Sequence, residues 1–413
     1  MLSVLHRQAH QDRVSIHPTK TKAVVFHKAG VTKSTLSWEL GESEISPTNQ
    51  TVHLGIFRSE IKENDLNIED RISLARRTLY SLINTGLHGT NGINPMVAYK
   101  MYQSYVLPKL LYGVELMPLN KTQLSQISRF HIANLRRFQS LPSRSASAVV
   151  YLLLGALPIE AEIHNRQLSL LYNILSCDND TISRLLERQI VMQNQNMESF
   201  FGRVTETLAF YELPNIEILK ENLPSKLSWK HQYKQSILET WSRTLQADLS
   251  EKSSVKYLNK KVLKLGQTHQ IWSSLNSTVS AVRKGITKCR MLIGTFLTEQ
   301  DKHKFSKGDI GSICKLCAVE SEDLPHILLK CSALCETRRE YYPKIRSKIL
   351  KFIGEERLEA HFNDKASIMK IIMDCSHFDY LFDKKQLRLL YQMSAEFCHQ
   401  MYLNRLQRLR LIS

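Results

Sequence analysis

Cys314, Cys317, His326 and Cys331 set three thiols and one imidazole along the chain with two, eight and four residues between them. Zinc prefers thiolate and imidazole ligands, and two cysteines separated by two residues can wrap one turn of backbone around the ion. A short loop then brings in His326. Cys331 follows from a predicted helical segment that Asp323 caps and Pro325 enters in its first turn. Three thiolates and a neutral histidine close a tetrahedron, so the chemistry expected is structural: such an ion holds a fold and activates no water. The bland reading is that the cysteines are small buried apolar residues and the histidine is incidental, but the spacing agrees with structural sites. Cys335, one helical turn beyond Cys331, is a rival ligand. A two-zinc cross-brace would need eight ligands, and Cys177, Cys289, Cys375 and Cys398 stand without paired neighbours. That arrangement is excluded.

Other residues invite phosphate rather than metal. Lys20 and Lys22 stand two apart at the entrance to a predicted strand, which would put both on one face and within reach of one phosphate group. Most lysines at turns are simply solvated. Arg71, Arg76 and Arg77 share one predicted helix, and Arg129, Arg136 and Arg137 share another, lying off the apolar stripes. Arginines placed this way on successive helices can follow a phosphate backbone, although a hydrated face is the ordinary reading. No two aspartates are adjacent to hold Mg²⁺, and Asp178 and Asp180 lie in a polar stretch without strand context. There is no Gly-rich phosphate loop and no Gly-x-Ser-x-Gly elbow, so the residues themselves reveal no catalytic centre.

The elements that must position these groups are mainly helical. Short β-rich runs at 22–27, 35–40 and 51–57 are separated by Gly30, Gly41 and Pro47, and they read as strands continuing a sheet whose other strands are missing. From about residue 65 the apolar period becomes helical. Ile68, Ile72, Ala75, Leu79 and Leu82 recur behind a capping-type Asn67. Asn94 and Pro95 open a second helix expected to stop before Pro108, and Leu124, Ile127, Leu135 and Phe138 mark a third. Tyr233, Ile237, Trp241 and Leu245 form a further stripe, as do Ile271, Leu275, Val279 and Val282. Leu387, Tyr391, Ser394, Cys398 and Met401 define a last helix ending in Arg405, Arg408 and Arg410. Residues 177–228 are polar and weakly periodic, the best linker candidate.

Composition bounds the function. Lys and Arg number 56 against 39 acidic residues, a net charge of +17 with pI near 9.4, which favours a polyanionic partner. With 43% hydrophobic residues the chain can bury a sizeable core, in two or three domains by length. No run of about 18 apolar residues exists, so no membrane span is expected, and the opening residues lack a secretory signal. Eight cysteines, half of them near one metal pattern, suit a reducing, intracellular compartment, nuclear or cytoplasmic.

Taken in order, these pieces resemble the C-terminal part of a non-LTR retrotransposon (LINE-type) reverse transcriptase. The run Pro-Thr-Lys-Thr-Lys-Ala-Val-Val-Phe at 18–26 resembles the motif that follows the catalytic aspartates of the palm. His-Leu-Gly-Ile at 53–56 is similar to the primer-grip hairpin, with His53, ahead of Leu54 and Gly55, in place of the usual tyrosine. The runs at 71–79 and 105–115 look like the thumb, followed by Leu-Leu-Leu-Gly-Ala-Leu-Pro-Ile at 152–159. The cysteine-histidine spacing, with Arg338 beyond it, resembles the family's C-terminal segment. The likeness covers nearly the whole chain, with little contribution from 177–280.

The resemblance implies a palm remnant with its hairpin at 1–60, a thumb-like bundle at 61–176, a polar linker at 177–228, a helical connector at 229–300, and a zinc-bearing C-terminal helical region at 301–413. It implies that Lys20 or Lys22 contacts phosphate, that the hairpin seats a primer end, and that the basic helices hold RNA or DNA. The family's paired aspartates lie upstream of the Lys-Thr-Lys run, which places them ahead of Met1. The expectation is therefore nucleic-acid binding without independent polymerisation, Mg²⁺ being needed only if the palm is supplied. The alternative is a non-enzymatic, zinc-dependent RNA- or DNA-binding protein retained by a host.

Overall fold

The computed structural model describes residues 2–17, 20–26, 38–45, 47–193 and 199–412. The chain is mainly helical, with a small N-terminal β region, as its periodicity predicts. After α1 (Leu2–Gln11) come two separate antiparallel hairpins, β1 (Trp38–Leu40) with β2 (Ser43–Ile45) and β3 (Gln50–His53) with β4 (Ile56–Ser59). They do not continue one sheet, which corrects the reading of the three β-rich runs. Each hairpin pairs with itself, and the 22–26 run contributes only a parallel bridge from Ala23 to Pro47. Pro18, Thr19, and the ends of the expected strands at 27 and 35–37 lie outside the described residues.

In the second hairpin His53 faces Ile56, so Leu54 and Gly55 make a two-residue turn with φ of 50° and 76°. Such turns match the right-handed twist of the strands and suit glycine. Behind the hairpin lies α2 (Glu63–Ser81), which begins four residues before Asn67. Asn67 is thus no cap. Its buried amide accepts from Phe57 N (2.8 Å) and donates to Phe57 O (2.9 Å), bracketing β4 onto the helix.

The next helix also departs from expectation. Asn94 caps α3 (Pro95–Met101) by accepting from Met96 N, but the helix does not stop before Pro108. It passes through a wide turn, where Leu107 N donates to Tyr102 O, into α4 (Leu107–Leu110). Widening the turn removes the demand for the N–H that Pro108 lacks. The third predicted helix is α5 (Lys121–Phe138), opened by a reciprocal capping box between Asn120 and Gln123. Then follow α6 (Ser147–Leu154), buried from Ala148 onward, and α7 (Ile159–Leu175).

Residues 177–228 are not a linker. They supply α8 (Asp180–Gln193), α9 (Phe200–Phe210) and α10 (Ile216–Glu221), and with α7 and the first half of α11 (Lys226–Ser250) they enclose their own apolar cluster. Phe201, Val204 and Leu208 of α9, with Tyr211 just beyond its end, are buried in this cluster together with Leu168 and Trp229.

The boundaries expected at 176, 228 and 300 do not separate cores either. One cluster runs from Ile68 in α2 to Met401 near the chain's end. It includes α12 (Gln270–Ser273) and α13 (Val279–Leu292), two helices where the apolar pattern predicts one stripe, because Thr278 caps a new start and leaves Val279 exposed. Trp272 Nε1 donates to Gln139 Oε1 (2.9 Å) and Asn94 Nδ2 to Trp272 O (2.9 Å), tying the start of α3 and the end of α5 to the later helices. Beyond them lie α14 (Glu299–Phe305), α15 (Cys335–Ile353), α16 (Glu355–His361), α17 (Lys365–Met373) and α18 (Lys384–Ile412). In α18 the predicted stripe is buried at Leu387, Tyr391, Ser394, Cys398 and Met401. No single helix among the described residues is long and apolar enough to cross a membrane.

Two histidines, His131 fully buried and His164 half-buried, give the fold a pH dependence. His131 Nε2 donates to Leu157 O (3.1 Å) and its Nδ1 accepts from Tyr102 Oη (3.0 Å). Burial lowers its pKa, and that of His164, to about 4 from the ordinary 6.5. Both are neutral when folded, so stability is retained above the unfolded value and lost as pH falls toward the folded one, by up to roughly 1.4 kcal/mol per unit for each histidine. Urea unfolding near pH 7 and pH 5 should show His131→Gln losing about 2 kcal/mol less than wild type over that interval. Equal losses would remove His131 from this account.

Candidate metal centre and basic surface

The four side chains that could hold a metal are brought together by two local devices. The first is a small loop closed by Cys314 N to Glu320 O and Glu322 N to Ser312 O, both 2.9 Å, with Ile313 bridging Ser321. Within it the chain turns back after Cys317, where Ala318 takes φ of 55° and its N–H bonds to Cys314 O (2.8 Å). That turn aims both cysteine sulfurs inward. The second device is a wide helical turn over His326–Lys330, started by Asp323, whose carboxylate accepts from His326 N (2.7 Å), with Pro325 in its first turn. It ends with Cys331 N bonding to His326 O (2.7 Å). Residues five apart diverge around an ordinary helix of 3.6 residues per turn, and the wider turn swings Cys331 back beside His326.

The four ligand atoms lie within 4.8 Å of one another. Cys314 Sγ is 3.9 Å from Cys331 Sγ, and Cys317 Sγ is 3.4 Å from His326 Nε2. A tetrahedral zinc with Zn–S of about 2.3 Å has S···S edges of about 3.8 Å, so the donor set fits such an ion. Cys314, Cys331 and His326 are buried, and Cys317 is half-buried. Cys335 heads α15 and stands outside the constellation.

The surroundings prepare these groups. Glu320 Oε2 sits 3.4 Å from His326 Nδ1 and 3.3 Å from Lys330 Nζ, fixing Nε2 as the ring nitrogen that faces the sulfurs. Burial pushes the Cys314 thiol up to about 12 and raises Cys331. Desolvation also raises Cys317, but the backbone N–H groups of Val319 and Glu320 outweigh it and hold that thiol below its ordinary value. A cation held by these four groups would displace thiol protons and relieve the crowding of sulfurs. Arg338 Nε donates to Leu328 O (2.9 Å) and its Nη2 to Cys331 O (3.0 Å), so it braces the segment from α15. Arg405, expected at a basic helix end, is instead buried and forks onto Glu322, a pairing 83 residues apart that no local pattern announces.

No protein-family model, curated protein or solved structure matches this chain. The remaining site residues therefore rest on their own geometry. Lys20 and Lys22 are exposed but lie outside any strand, so alternation does not align them; Lys20 N bonds back to His17 O in a turn. His53, Leu54 and Gly55 form the exposed hairpin tip, with Leu54 76% exposed. The tip is anchored at its backbone: Arg71 Nη2 donates to Gly55 O (2.8 Å) and Tyr112 Oη to Leu54 O (2.9 Å). Arg71 is thus no surface charge; it is buried, paired with Asp70, and its guanidinium lies 5.4 Å from the Tyr112 ring centre. Arg76, Arg77 and Arg129 are exposed, and Arg136 and Arg137 half-buried, on the packed pair α2 and α5. Arg136 also braces, donating to Ser145 O and Ser147 Oγ at 2.9 Å each.

Arg71→Ala should free the Leu54–Gly55 turn at a cost of about 1–3 kcal/mol, because Gly55 O and Asp70 lose their partner. Hydrogen exchange at the β3–β4 amides should quicken while α5 is unaffected. Unchanged exchange in the hairpin would show that the clamp does not hold it.

Proposed function

We propose that this chain binds RNA or DNA as the thumb-like and zinc-bearing part of a reverse transcriptase of the non-LTR retrotransposon type. The carrying observation is the Cys314–Cys317–His326–Cys331 constellation, whose spacing and following Arg338 resemble the family's C-terminal segment and whose ligand atoms converge within 4.8 Å. The order of the preceding motifs supports the same reading, as do the exposed hairpin tip at His53–Gly55 and the net charge of +17.

In this reading the ion is zinc and its role is structural. Bound zinc supplies a closed tetrahedral shell, while the chain's own groups do the rest: Glu320 orients His326, and Arg338 holds the carbonyls of the ligand turn. Arg76, Arg77, Arg129 and Arg137 supply the phosphate-facing charge, and the hairpin seats the primer end. Among the described residues the cysteine-histidine set is the one group of three or more metal-ligating side chains, and in this reading Mg²⁺ would be needed only where a palm supplies aspartates.

Two measurements test this. Cys314→Ser and His326→Ala should each abolish stoichiometric zinc and loosen the C-terminal helices, structural zinc being worth roughly 10 kcal/mol or more of binding free energy in small modules. Cys335→Ser should keep its zinc. Equal metal content across all three by mass spectrometry would sink the ligand set. Reversing Arg76, Arg77, Arg129 and Arg137 to Glu should weaken single-stranded RNA and duplex DNA alike. It should also flatten the slope of log K against log salt by about 0.7 to 0.9 for each phosphate no longer neutralised. An unchanged slope would mean these arginines are only hydrated.

A further inference from the structure

A cavity of about 350 Å³ opens where the loop between α5 and α6 meets α13, the 295–297 segment and α18. Its chemistry is one-sided. Arg144, Arg290 and Arg405 line it together with Phe296, Tyr402 and the hydroxyl-bearing Thr287, and no carboxylate does. Three other cavities each carry at least one: Glu160 and Glu206, Glu359, and Glu162. Arg405 is neutralised by Glu322 from behind, so the uncompensated charge belongs to Arg144 and Arg290.

Both of those guanidinium groups are already held in place. Arg144 Nη2 donates to Thr295 O (2.7 Å), and Arg290 donates through both Nε (2.9 Å) and Nη2 to Ser140 O. A carbonyl fixes a guanidinium without cancelling its charge, and each guanidinium carries five N–H donors, so further donors are left for an anion. The aromatic wall is equally fixed. Phe296 and Tyr402 are half-buried and meet edge to face, 5.7 Å between centres at 77°, with the Arg405 guanidinium 5.9 Å from the Phe296 centre. Fixed cations beside fixed half-buried rings match the two halves of a nucleotide, a phosphate and a base that stacks. The volume falls in the range of about 300–1,000 Å³ typical of ligand pockets.

We propose that this notch binds one nucleotide of a single strand, its phosphate on Arg144 and Arg290 and its base against Phe296 and Tyr402. The inference rests on the nucleic-acid-binding reading above and adds a defined site and a preference for single strands. A duplex cannot use it, because its bases are stacked and paired within the helix.

The test uses the full zinc-loaded chain with three probes: a 5′-phosphorylated oligouridine carrying one 4-thiouridine, a duplex DNA of equal length, and uridine monophosphate alone. Arg144 is exposed and its one hydrogen bond to the body is to Thr295 O, so Arg144→Gln should fold and lose no more stability than that bond supplies. It should bind the oligouridine about five- to tenfold more weakly, with duplex affinity unchanged and partial rescue in Arg144→Lys. Irradiation should place the thiouridine adduct on the peptide bearing Phe296 or on that bearing Tyr402. Wild-type oligouridine affinity in Arg144→Gln, or adducts only elsewhere, overturns the notch and leaves general nucleic-acid binding standing. Equal weakening on duplex reduces Arg144 to a generic phosphate partner and overturns the single-strand preference. Monophosphate binding as tight as the oligouridine assigns the notch to free nucleotides and overturns the strand. Absence of binding to every probe overturns both readings.

Discussion

Glu322 is wholly buried, and a carboxylate out of water is tolerated only when its charge is matched and its oxygens are hydrogen-bonded. Arg405 meets it with two donors, Glu299 N donates to its Oε1 (3.0 Å), and Cys314 Sγ lies 3.5 Å from its Oε2. One side chain therefore fixes where three parts converge: the ligand loop, the first turn of α14 and the end of α18. Breaking such a buried pair typically costs about 3–5 kcal/mol, a large share of what a domain has. The metal loop is local in sequence, but its seat against the body depends on this long-range pairing. Glu299, almost fully buried, adds a second carboxylate to the cluster and is balanced by Lys302 (2.6 Å) and Lys315 (3.4 Å).

A comparable polar knot sits inside the shared core. Asp374 is fully buried and accepts from Asn259 N (2.8 Å), Ser376 Oγ (2.6 Å) and Tyr391 Oη, with His269 Nε2 at 3.6 Å. Burial would raise its pKa, but His269, Ser376 and Tyr391 prevail and hold it well below the usual carboxylate range. Nearby Lys288, also fully buried, donates to Ser394 Oγ and lies 4.3 Å from the Tyr391 ring centre. Apolar packing alone would let α13, α17 and α18 slide past one another. Groups that must find particular partners fix one register, at high penalty for any other.

These pairings explain what the sequence could and could not disclose. The convergence of Cys314, Cys317, His326 and Cys331, the Asp323 cap, the Pro325 entry and the apolar stripe of α18 were legible because each follows from residues within a few turns of one another. Arg71 and Arg405 were not. Charge on a helix reads as surface by default, and nothing nearby reveals that Gly55 O or Glu322 awaits them. The 177–228 segment failed for a different reason. Its first half is polar, yet Phe201, Val204, Leu208 and Tyr211 already recur at steps of three, four and three residues, and a shorter window would have found α9. Pro108 misled because a wide turn can absorb a missing N–H, a tertiary accommodation that helix rules do not anticipate.

Two kinds of arginine stand out, and the difference bears on how a polyanion would be met. Arg136, Arg144, Arg290 and Arg338 each donate to a backbone carbonyl, while the exposed Arg76 and Arg77 have no such bond. A carbonyl is a dipole and not a counter-ion, so a guanidinium held this way keeps its charge and gives up its freedom to move. A forked, planar donor can brace a loop and still present hydrogens, which is why lysine would substitute only in part at these positions. The net charge of +17 is therefore partly built into the fold as fixed points rather than carried on loose side chains. An anion meeting fixed charges loses less entropy in ordering them, and the order already exists before it arrives. Selectivity for the shape of a partner would then follow from where the fold has pinned its arginines, and at the Arg144–Arg290 notch pinned charge and fixed aromatic rings coincide.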